Sequence, residues 1–93
     1  MRKIKYTYQF KKDYKREQKS NHKNLDHHLL SIVNLLALDK PLPSNKYDHP
    51  LTGNWNDHRD CHIRPDLILI YRKPAINILE LVRLGSHSRL SLG

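Results

Sequence analysis

LILIY, residues 67–71, is five apolar residues in succession, placed directly after the turn-forming Arg64-Pro65-Asp66. Successive side chains of a strand point to opposite faces, so an unbroken apolar run in a strand needs cover on both sides. The run therefore predicts the central strand of a sheet. Only 93 residues are available to provide that cover, which makes one small domain over residues 1–93 with a modest core. The chain is too short for a barrel of alternating strands and helices, which takes ~200 residues or more. A doubly wound nucleotide-binding domain does not fit either. At 38% apolar and 28% charged, the chain is polar for a globular domain but too apolar for a disordered one.

The segments on either side of the run fill in a layout. Residues 56–63 form a short strand with a polar face, and residues 76–84 a last strand, reached through a turn at 72–75. Gly85 breaks that strand and SHSRLSLG is a tail. At the N-terminus Ile4, Tyr6, Tyr8 and Phe10 alternate with Lys5, Thr7 and Gln9, a period of two that predicts a strand over about 3–9. Residues 11–23 lose the alternation and carry no breaker. They predict a helix, with a break at Ser20-Asn21 and Asn24 as the N-cap of the next. In that second helix Leu25, Leu29, Ile32, Val33 and Leu36 recur at spacings of three and four. Pro41 ends it, and residues 41–55 form a loop rich in Pro, Ser, Asn and Gly. The order β-α-α-β-β-β defines an α+β domain: a helical hairpin on an antiparallel sheet.

The net charge is +8, and it is concentrated at one end. Residues 1–23 hold nine Lys/Arg against Asp13 and Glu17, whereas residues 24–93 hold eight Lys/Arg against seven Asp/Glu. Lys11, Lys15, Lys19 and Lys23 fall four apart and make one basic stripe on a helix. Charge of that density attracts a polyanion, nucleic acid first and an acidic protein second, although charge runs are commonly no more than solvated faces. The single cysteine, Cys61, permits no intrachain disulfide and suits a reducing compartment. No apolar run approaches ~18 residues, and the basic N-terminus lacks the apolar stretch of a signal peptide. A cytoplasmic chain without membrane contact is expected.

Seven histidines are present, and His49, His58, His62 and His87 share the second half with Asp48, Asp57, Asp60 and Asp66. Such a group admits metal binding or acid–base chemistry near neutral pH. There is no HExxH and no zinc-finger spacing; Asp60 and His62, two apart on a strand, supply at most half a metal site. In Arg59-Asp60-Cys61-His62-Ile63 the alternation sends Cys61 and Ile63 to the core and leaves Asp60 and His62 on an open sheet face. His49 precedes Pro50 in the loop, Asp66 follows Pro65 in a turn, and His87 lies two residues past Gly85. Each of these alone is more often structural or merely solvated. With Arg59, Arg83 and a basic helix they suit a phosphodiester. In metal-free RNA cleavage a base takes the ribose 2′-OH proton, an acid protonates the departing 5′-oxygen and cations stabilise the phosphorane. Histidines and carboxylates supply the first two roles and arginines the third.

The stretch DHPLTGNWNDHRDCHIRPDLILIYRK, followed by LELVRLGSHSRL, closely resembles the YafQ branch of the RelE/ParE toxin superfamily. The pattern of that branch runs DHPLxGxWxxxRDxHxxPDxxLIY, then RxGxHxxLF. The resemblance implies a RelE-like α+β fold and a bacterial type II toxin acting as a ribosome-dependent endoribonuclease. It further implies cleavage of mRNA in the ribosomal A site and neutralisation by a cognate antitoxin. By position it implies catalytic roles for His49, Asp60, His62, Asp66 and His87, the last as proton donor. Arg83 matches the arginine before the conserved-pattern glycine. With Arg59, Lys11, Lys15 and Lys19 it makes the expected RNA- and phosphate-binding set. No cofactor, metal or small-molecule ligand is expected. One departure stands out: the family's Phe four residues after the last histidine, a base-stacking candidate, is Ser91 here, with Leu92 next. Two other functions share these features, a non-catalytic basic binding domain and a ParE-like gyrase poison. The set Asp60, His62, Asp66 and His87 argues against the gyrase poison, which needs no such group.

Overall fold

A computed structural model of the chain describes residues 1–20 and 23–91. The expected positions of Asn21 and His22, and Leu92, lie outside the described residues. The elements run β1 (Lys3–Tyr6), α1 (Tyr8–Gln18), α2 (Leu25–Ala37), β2 (His49–Pro50), β3 (Arg59–Arg64), β4 (Leu67–Arg72), β5 (Ile78–Gly85) and a single helical turn, α3 (His87–Leu90). The five strands form one sheet in the order β1-β5-β4-β3-β2. Its pairings are antiparallel except at β1, which lies parallel to β5 with Lys3 opposite Ile78. No described helix is long and apolar enough to cross a membrane.

β4 is the central strand that the LILIY run demands: Leu67, Ile68, Leu69, Ile70 and Tyr71 are all buried. On one face Leu67, Leu69 and Tyr71 join Cys61, Ile63, Leu79, Leu81 and Leu84 beneath Phe10 of α1 and Leu25, Leu29, Ile32, Val33 and Leu36 of α2. Ile68 and Ile70 point to the other face, where Leu90, Leu51, Trp55 and Val82 cover them. The second cover comes from parts of the chain without strong periodicity. Residues 44–46 and 53–55 form short 3-10 turns inside the expected loop. The expected tail folds into α3 because the Ser86 hydroxyl accepts from Arg89 N–H at 3.1 Å and Leu90 buries its side chain.

The N-terminal strand is shorter than the alternation predicts. Thr7 ends it: its hydroxyl accepts the Phe10 N–H at 3.0 Å and donates to Val82 O at 2.7 Å. That is an N-cap bond, so helix begins at Tyr8, and Phe10 is buried as a helical residue while Tyr8 is 75% exposed. α1 ends at Gln18, so Lys11 and Lys15 lie on the helix, Lys19 caps it and Lys23 is beyond it. Asn24 does not cap α2 with its side chain. Its backbone is left-handed, with φ 57°, and its side chain makes no capping bond. The strand expected over 56–63 starts only at Arg59, and the last strand is shifted to Ile78–Gly85. Gly85 belongs to that strand, paired with Ile68, and Arg16 crosses it closely: a Cβ there would lie 2.9 Å from Arg16 Nη2.

α1 is fastened to β5 through a carboxylate. Asp13 is fully buried and accepts from Arg83 Nε at 2.7 Å, Leu84 N–H at 2.9 Å and Arg16 Nη1 at 2.8 Å. Arg16 also donates to Leu84 O at 2.7 Å. Burial alone would raise the Asp13 pKa, but these donors outweigh it and hold the carboxyl below its ordinary value.

Candidate active site

The β2–β3 and β3–β4 pairings bring the histidines to one face of the sheet. His49 is paired with Asp60 across β2 and β3, and Asp60 with Ile70 and His62 with Ile68 across β3 and β4. Directly opposed residues share a face, so His49, Asp60 and His62 lie on the side of Ile68 and Ile70, away from the two long helices. His87 joins them because β5 ends at Gly85, itself paired with Ile68, and α3 starts two residues later. The His62 and His87 rings are 5.4 Å apart. Asp66 is exposed in the β3–β4 turn, two residues before Ile68, which puts it at the same end of the sheet.

Asp60 is not on an open face, as the alternation suggests, but is buried; the loop carrying β2 closes over it. His49 Nε2 approaches Asp60 Oδ1 to 2.8 Å, out of line for a hydrogen bond, so the contact is electrostatic and Oδ1 has no hydrogen-bond partner. Burial raises the Asp60 pKa, and positive charge on His49, His62 and His87 opposes that rise. The carboxyl thus sits below three rings whose charge it senses. His49 and His87 are exposed and His62 is half-buried, so all three are reachable from solvent.

Both expected phosphate-binding arginines are engaged by carboxylates. Arg83 spends Nε and Nη2 on Asp13, a structural use that spacing alone does not reveal. Arg59 donates to Asp48 Oδ1 at 3.1 Å, and Tyr71 OH donates to the same oxygen at 2.6 Å. The Arg59 side chain is still 44% exposed and lies beside Asp60 in the chain. Lys11, Lys15 and Lys19 are exposed as expected. Lys11 and Lys15 edge an apolar groove of about 580 Å³ between α1, α2 and β1, which contains none of the histidines. Cys61 is buried, and burial pushes its thiol pKa up, leaving it an inert core residue. Among the described residues no group of three or more His, Cys, Asp or Glu side chains is placed to hold a metal ion.

Tyr47 was not signalled by any motif. Its exposed ring meets His62 edge-on with the centroids 5.2 Å apart. Trp55 and His58 make a similar contact at 5.3 Å, but Trp55 packs on the second core.

The result is a small α+β sheet protein with a solvent-open cluster of histidines around a buried carboxylate, and a basic helix apart from it. The chain belongs to the family described as a bacterial toxin of type II toxin–antitoxin system, YafQ, which matches residues 2–92. It is 40% identical over 89 residues to the mRNA interferase toxin YafQ of Escherichia coli K12, covering 96% of this chain and 95% of that one. The fold is similar to a copper-bound mutant toxin from Helicobacter pylori (TM-score 0.90, 36% identity, 97% of this chain and 99% of that chain). It is likewise similar to the toxin of the E. coli DinJ–YafQ complex (TM-score 0.83, 41% identity, 97% and 98% covered).

Proposed function

We propose that this chain is an endoribonuclease that cuts mRNA in the ribosomal A site by metal-free acid–base chemistry and is neutralised by a cognate antitoxin. The observation that carries the proposal is the grouping of His62, His87 and the His49–Asp60 pair on one accessible sheet face. Membership of a family whose E. coli relative is called an mRNA interferase supports it, as does the antitoxin complex of that relative.

The ribose 2′-OH attacks the adjacent phosphorus while a base removes its proton. The P–O5′ bond breaks as an acid protonates the leaving oxygen, giving a 2′,3′-cyclic phosphate and a 5′-OH. His87, at the exposed start of α3, is assigned as the acid. The base is drawn from His49, His62 and Asp66, and the Asp60 carboxylate lies 2.8 Å from His49 Nε2. Proton transfers of this kind contribute ~10²–10⁴-fold each. Arg59 and protonated histidine offset charge on the phosphorane; Arg83 is held by Asp13 and fixes the β5 strand that leads to His87. Lys11, Lys15 and Lys19 bind ribosomal RNA, and the domain over residues 1–93 acts in the cytoplasm. The antitoxin is expected to be acidic where it meets this +8 chain. The test is induced expression with growth and primer extension followed together. Discrete breaks in translated messages support the proposal, and intact messages in an arrested culture overturn it.

A further inference from the structure

Tyr47 closes the turn Ser44–Lys46 with φ 50°, in the left-handed region. A bulky aromatic residue rarely adopts that conformation; Asn or Gly does so readily. Unfavourable backbone of this kind persists only where the surroundings impose it, and it gathers at functional sites. Here the surroundings are explicit. The Tyr47 N–H donates to Ser44 O at 3.2 Å. The next residue, Asp48, is anchored by Arg59 and by the buried Tyr71. The chain is therefore held on both sides of Tyr47 while its ring stays 62% exposed. A core aromatic would be buried by such an arrangement, and this one is presented to solvent.

The ring is presented beside the chemistry. It touches His62, which in turn lies beside His87. The other strongly exposed aromatic rings, Tyr6 and Tyr8, belong to β1 and α1. Single-stranded RNA is gripped through unstacked bases laid on aromatic faces, with little dependence on sequence. In-line attack also requires the ribose next to the scissile phosphate to be held still.

We infer that Tyr47 is the base-stacking residue of this site: a nucleobase flanking the scissile phosphate packs on its ring and so positions the 2′-OH. The inference rests on the nuclease function proposed above and adds the residue that holds the substrate base. The hydroxyl is not needed, and the residue takes no part in proton transfer.

The experiment uses ribosomes programmed with a message that carries 2-aminopurine in the A-site codon, in a ribose form and in a form with 2′-deoxyribose at the scissile position. The first reports single-turnover cleavage and the second reports stacking by fluorescence quenching. Removing one base–aromatic stack reduces binding by roughly 5- to 150-fold. Tyr47→Asn is expected to lose cleavage within that range and to lose the quench, with an unchanged pH profile for the residual activity. Its melting temperature should rise, because Asn suits the left-handed backbone. Tyr47→Phe is expected to keep both signals. Wild-type cleavage and quenching by Tyr47→Asn overturn the inference, as does a Tyr47→Phe protein as impaired as Tyr47→Asn. A quench that depends on Tyr47 in a protein that never cuts the message supports the stacking role and overturns the nuclease function instead.

Discussion

Arg83 and Asp13 form a paired contact between β5 and α1: Arg83 Nε lies 2.7 Å from Asp13 Oδ2 and Nη2 lies 3.3 Å from Oδ1. The carboxylate has no exposed surface and the arginine side chain is 24% exposed. Removing one partner of such a pair leaves a charge without compensation, at a cost of about 3–5 kcal/mol. Asp13→Ala is therefore expected to lower the melting temperature by roughly 12 °C or more. Arg83→Ala should also destabilise the fold, so lost toxicity in that variant does not by itself assign Arg83 to RNA. A melt of the two variants checks this: wild-type stability in both would show the contact to be unimportant.

Two of the buried carboxylates, Asp13 and Asp60, predict opposite responses to pH. Asp13 has a lowered pKa, so its contribution is present above the ordinary carboxylate value of 3.8 and is lost as pH falls through the lowered one. Asp60 has a raised pKa. Its protonated form suits the fold, and that contribution is lost as pH rises through the raised value. Asp60→Asn is accordingly expected to raise stability at neutral pH while weakening cleavage, and Asp13→Asn to flatten the acid limb of the stability curve. Denaturant midpoints across an acid-to-neutral series measure both, and an Asp60→Asn protein less stable at neutral pH than wild type would contradict the assignment.

The basic stripe is exposed and makes few demands on the core. Changing Lys11, Lys15 and Lys19 to Glu is expected to leave the melting temperature within a few degrees and to weaken ribosome co-sedimentation. Each phosphate contact removed should lower the slope of log affinity against log salt by about 0.7–0.9. Unchanged co-sedimentation at moderate salt would mark the stripe as a solvated face.

The sequence carries the fold where a side-chain period meets a burial requirement. LILIY can only be central, and Cys61 and Ile63 are core residues because β3 alternates through them. The period of two at the N-terminus misleads at Tyr8 and Phe10, since one Thr7 hydroxyl bond outweighs the alternation. The burial of Asp13 is not legible because, apart from Arg16 three residues on, its partners are 70 and 71 residues away. Leu90 looks like part of a tail until Ser86 caps a helical turn beneath it. At the site, the spacing of Asp60 and His62 shows a shared face but not the burial of Asp60, which depends on where β2 docks. Tyr47 has no motif at all; its position follows from a turn conformation and a ring contact that exist only in three dimensions.

His87 carries the central claim. It is exposed, it begins a four-residue helical turn, and its ring is 5.4 Å from that of His62. His87→Gln removes the proposed acid without removing buried surface. His62→Gln and Asp66→Asn should be less severe, since the base and orienting roles can be shared. The direct measurement is primer extension on message-programmed ribosomes, with wild-type and His87→Gln proteins of matched melting temperature. The account predicts discrete A-site breaks with the wild type and a loss of about 10²–10⁴-fold in rate with His87→Gln. Breaks formed at the same rate by His87→Gln would contradict it.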